Sequence, residues 1–184
     1  PITLMFFRLI LAVATLILLW AFIEGVSSVF EAPWLKGIKI GLLGFGFGTN
    51  LLLFAQWFTD PITVALLATL IPVSATILEV WDGRRKLNST FILGLIASII
   101  GGFIAVSENI SIDLGWGVLM ALGSGFCFMW ASDKSVTKLS ELSSIARSSI
   151  TFTGAAVFTT ISFAIFFTLG LIEFPNLLSS SQFL

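Results

Sequence analysis

Six apolar runs dominate this chain, and each approaches the roughly 20 residues that a helix needs to cross a hydrocarbon layer of about 30 Å. They extend from Ile2 to Phe22, Ile38 to Phe58, Ile62 to Val80, Phe91 to Val106, Leu114 to Ala131 and Ser148 to Leu171. A membrane strand would instead need about 9–11 residues of alternating polarity. Runs such as ALLATLIPVSATILEV are apolar on every side, which points to helices. The expected fold class is therefore an all-α integral membrane protein with six transmembrane helices.

Composition closes off the alternatives. Of the 184 residues, 57% are hydrophobic and 10% are charged, against roughly 45–50% and 25% in soluble domains. Too few polar side chains remain to cover a soluble surface. Nine Lys+Arg against ten Asp+Glu leave a net charge of −1, so no cationic stripe exists for nucleic acid. Histidine is absent and Cys127 is the single cysteine. An internal disulfide, a His/Cys zinc site or a Ser-His nucleophile cannot be assembled from this chain alone. No cofactor is expected, and the expected partners are a lipid bilayer and a small-molecule solute.

The charges sit between the runs. Lys36 lies between the first two and Lys39 at the start of the second, Arg84, Arg85 and Lys86 lie between the third and fourth, and Lys134, Lys138 and Arg147 between the last two. The other connections, TDP at Thr59 to Pro61, SENISID and the tail after Leu171, contain no Lys or Arg. Eight of the nine positive residues thus fall on one side of an alternating path. The positive-inside rule places that side in the cytoplasm and gives a multi-pass protein of a plasma or inner membrane. Small residues four apart, at Gly44 and Gly48, Ala97 and Gly101, and Gly117, Ala121 and Gly125, mark faces where backbones can approach.

Several residues stand out against the apolar background. Asn50 and Gln56 carry amides in the second run, where each must find a partner or water. Pro72 removes a backbone hydrogen bond inside the third, either kinking it or serving packing. Arg8 lies about two helical turns into the first run, where it either snorkels to the outer interface or attracts an anionic group. Arg147 reads as a cytoplasmic anchor. No carboxylate falls at mid-membrane, which disfavours proton coupling through this part of the chain.

The stretch AQWFTDPITVALLATLIP, Ala55 to Pro72, resembles the helix–turn–helix signature of the EamA-like transporter family, in the drug/metabolite transporter superfamily. Phe58-Thr59, Ala65-Leu66-Leu67 and Pro72 fall in register with that signature. Gly94 and Gly101 match its next glycine spacing, whereas the intervening turn reads GRRKL without the family's glutamate. PITLMFFRL, with Arg8 at the usual arginine, is similar to the family's second helix.

The resemblance implies ten helices in two inverted five-helix repeats. This chain would then be a fragment of such a transporter. Residues 1–107 would form a first repeat lacking its opening helix, and residues 112–184 the start of a second. The chain opens at Pro1 within an apolar run, as the cut edge of a longer protein would. Arg8 and Arg147 align between the two repeats.

In the family the second and third helices of this chain would border the substrate cavity, which makes Asn50, Gln56 and Ser74 candidate substrate-binding residues. Family members also place cavity aromatics on the fifth. Trp130 is the candidate there, with an interfacial belt as its other reading. The expected function is alternating-access export of small metabolites or drug-like compounds, without catalysis. The alternatives are a membrane-embedded transferase acting on a lipid-linked substrate, for which no polar catalytic cluster is seen, and a non-transporting scaffold.

Overall fold

In the computed structural model, residues 2–68, 75–76, 79–80, 83, 88–106 and 115–171 are described, and their ordered elements are helical. Helix α1 is Ile2–Glu24. It is apolar around its whole circumference, as a helix in lipid is. Gly25, at φ 88°, ends it in a conformation that costs glycine little. The short α2, Val26–Glu31, follows within what the sequence presents as a plain connection. It stops ahead of Pro33, since a residue preceding proline is pushed out of the helical region and Ala32 is extended.

Helix α3 runs Trp34–Phe58, with a π-helical stretch at Gly41–Gly46. It begins earlier than the apolar run suggests, because Trp34 is anchored by its indole Nε1–H donating to the Val29 carbonyl at 2.6 Å. The TDP turn forms as expected. Asp60 caps α4, Pro61–Ala68, accepting from the backbone N–H of Ile62 at 2.9 Å and of Thr63 at 3.0 Å. Pro61 fills the first helical position, where its missing N–H costs nothing. Helices α5, Ser89–Val106, α6, Trp116–Lys138, and α7, Ser144–Thr168, complete the set. The Ser143 hydroxyl caps α7 by accepting from Ala146 N–H at 3.1 Å. Gly170, at φ 68°, closes it with Leu171 N–H bonded to the Phe166 carbonyl at 3.0 Å.

Among the described residues, α1, α3 and α7 are long and apolar enough to cross a membrane. Helix α6 has the length, but its glycines, serines and closing charges dilute its hydropathy.

Helix α3 lies between α6 and α7, and glycine brings them together. A Cβ on Gly41 would stand 1.9 Å from the Thr151 carbonyl oxygen, and one on Gly154 would stand 2.3 Å from the Ile38 oxygen. There α3 and α7 touch backbone to backbone. On another face of α3, a Cβ on Gly44 would meet Ala131 at 2.2 Å. Gly117 of α6 packs against Ala55 and Thr59. The expected Gly44/Gly48 and Gly117/Ala121 stripes are thus buried packing faces, whereas Ala97 and Gly101 of α5 are exposed among the described residues. Helix α4 adds Val64 to a cluster with Ala55 and Ala121.

Contacts fix the relative directions. Phe6, early in α1, stacks on Phe163, late in α7, at 4.7 Å, while Trp20 packs on Ala146 and Ile150. So α1 and α7 are antiparallel. Along α3 and α7, Gly37 meets Ile150 and Phe54 meets Phe166, so these two are parallel, and α6 runs opposite to α3. The α1–α3 and α6–α7 connections therefore lie at one end. There Trp20, fully buried, packs with Val29, Trp34 and Leu142. Lys36, Lys39, Lys138 and Arg147 gather at this same end. They stand on helix termini rather than in loops, because the helices extend beyond the apolar runs.

Candidate functional site

At that end, α3, α6 and α7 part to leave a cleft of about 220 Å³. Its chemistry follows from helical spacing. Ser144, Arg147, Ser148 and Thr151 recur at the i, i+3, i+4, i+7 interval that lines one face of α7. Ser132, Ser135 and Val136 repeat the i, i+3, i+4 part on the last turns of α6. The third wall is aromatic. Phe45, from the π-helical stretch of α3, lies nearly parallel to Phe152 of α7, with ring centroids 5.8 Å apart and planes at 10°. Phe128 extends the ring series behind Phe45 at 6.3 Å.

Arg147 supplies the cleft's charge through its guanidinium. Its Nη2 donates to the Ser144 hydroxyl at 3.2 Å, and among the described residues no carboxylate pairs with it. Asp133 is already joined to Lys134 at 3.3 Å and stands outside the cleft wall. The Thr151 hydroxyl donates back to the Arg147 carbonyl at 2.8 Å. Ser132, Ser135 and Ser148 line the cleft, and their hydroxyls take no such bond among the described residues. One fixed cation, several hydroxyls and a flat apolar wall can hold a small polar molecule that has an apolar part.

The residues singled out from sequence are dispersed. Asn50 is buried between α3 and α7. Its Nδ2 donates to the Gly46 carbonyl at 2.9 Å and to the fully buried Thr159 hydroxyl at 3.3 Å. Its Oδ1 is buried without a partner among the described residues. Gln56 is exposed on α3, and Arg8 is exposed on α1. Trp130 is half-buried and packs, like Phe45, on the Ile40, Ala131 and Leu139 cluster, which sets it beside the cleft rather than in its wall. Ser74 and Pro72 lie outside the described residues.

Sequence reasoning passes over the cleft residues. The signal that could have found them is the hydroxyl stripe around Arg147 in SSIARSSIT, which the anchor reading of that arginine obscures.

Residues 1–107, from α1 through α5, match the EamA-like transporter family, part of the drug/metabolite transporter superfamily. The chain belongs to that family. Comparison with curated proteins and with solved structures found no match. For this EamA-like chain, family membership and long apolar helices together establish a transmembrane protein of the transporter class. The cleft joins α3, inside the matched region, to α6 and α7 beyond it.

Proposed function

We propose that the chain exports a small metabolite across a plasma or inner membrane by alternating access, as part of a ten-helix assembly of two inverted repeats. The observation that carries this reading is the hydroxyl-lined cleft among packed helices of an EamA-family chain. The antiparallel packing of α1 on α7 suits an inverted relation between the repeats those helices belong to.

The proposed direction draws on the sidedness of charge. The cleft lies at the end where the positive residues gather, and the positive-inside rule makes that end cytoplasmic. In this reading the cleft is the loading end of an exporter. Its volume is below the roughly 300–1,000 Å³ of drug-sized sites, which favours a compact metabolite over a larger compound. In this reading Asn50, with one amide oxygen unpaired, is the sequence candidate best placed to meet a solute as α3 and α7 separate.

The test is release from proteoliposomes loaded with a panel of single-ring solutes. The chain should release at least one faster than protein-free vesicles do. Equal rates for the whole panel would count against transport.

A further inference from the structure

We propose that the cleft selects organic anions, and that its ligand is a compact carboxylate bearing a flat apolar ring. The inference rests on the transport reading and adds the class of solute. Arg147 sets its guanidinium on the cleft wall, and among the described residues no carboxylate pairs with it. A guanidinium offers a planar fork of donors that matches a carboxylate, and charge-assisted bonds of this kind are about twice as strong as neutral ones.

The surrounding hydroxyls complete the anion shell. Ser148 is one residue from Arg147 on the same face of α7, and Ser132 and Ser135 approach from α6. Each can donate to a second carboxylate oxygen without giving up a bond to the protein. No acidic side chain among the described residues lines the cleft to attract a cation instead.

The apolar half of the ligand is set by Phe45 and Phe152. Both rings line the cleft and lie nearly parallel to each other, and an aromatic ring pairs with another in an offset or edge-to-face arrangement. At about 220 Å³ the cleft has room for one ring and its acid group.

Benzoate, benzamide and benzylamine share a ring and differ in charge, so they isolate the role of Arg147. Binding of each to the purified full chain would be measured by calorimetry in nanodiscs of neutral phosphatidylcholine. Benzoate should bind about tenfold more tightly than benzamide, and benzylamine more weakly than either. Arg147→Gln should erase the preference for benzoate, and Arg147→Lys should keep part of it. Equal binding of benzoate and benzamide to the wild type would overturn the proposal, and that comparison decides even if Arg147→Gln does not fold.

A second arm adds phosphatidylglycerol to the nanodisc. Benzoate affinity should be unchanged. If the anionic lipid instead displaces benzoate in an Arg147-dependent way, the site holds a headgroup and the solute proposal is overturned. Failure of the underlying reading is distinguishable. Arg147-dependent benzoate binding with no release of any solute from proteoliposomes would remove the transport reading and leave the anion site. Release of benzamide without any preference for benzoate would do the reverse.

Discussion

Single polar residues in this chain do work that their neighbours cannot. Asn50 shows two effects that oppose one another. Its bond to Thr159 is of the kind that contributes about 0.6–2 kcal/mol between helices in a membrane. Its unpaired Oδ1 carries a desolvation cost of similar size. Asn50→Ala removes both, so the melting temperature should move little while solute release falls, which paired melting and release measurements will check. Asp60 is a simpler case. Hydrogen bonds from the Thr63 side chain, and then from backbone N–H groups, hold its carboxyl below the ordinary carboxylate range. The stability it adds is complete above the unfolded value of about 3.9. That contribution is lost as pH falls through the lowered folded value. An acid titration of helicity should therefore show the wild type losing more stability on acidification than Asp60→Asn, and parallel titrations would contradict this.

At the scale of elements, the close approach of α3 to α7 is made by glycine. A Cβ at Gly41 or Gly154 would run into the partner backbone, and backbone cannot rotate away as a side-chain tip can. Overpacking of this kind costs about 1–3 kcal/mol or more, so Gly41→Ala and Gly154→Ala should each sharply lower the melting temperature. Gly94 and Gly101 of α5 meet nothing within 4 Å among the described residues. There alanine only improves helix propensity, by about 0.5–1 kcal/mol, and the melting temperature should hold or rise. Similar losses at all four positions would show that glycine spacing alone, not contact, governs this fold. The π-helical stretch at Gly41–Gly46 belongs to the same interface. It turns Gly41 toward α7 and Gly44 toward α6, and it presents Phe45 to the cleft.

Across the whole molecule, apolar length and loop charge make the long helices and their alternating directions readable, because lipid demands both along the chain. The extra turns of α3, α6 and α7 are hidden, since helix ends outside the hydrocarbon can be polar. Helix α2 is hidden for the same reason. The Asn50 environment is half legible. Its need for a partner follows from chemistry, but Thr159, 109 positions away, is supplied by tertiary packing. The cleft is least legible, because its walls come from three helices and Arg147 has the composition of an ordinary anchor. The central claim is that this cleft is the cytoplasmic mouth of the solute's path. Ser148→Cys in a Cys127→Ala background places a single thiol on its wall. Proteoliposomes of that variant would be exposed to a membrane-impermeant thiol reagent from one side at a time. The account predicts that reagent on the side bearing Arg147 and Lys138 stops solute release, while reagent on the other side does not. Complete modification of the introduced thiol with release continuing at full rate would contradict it.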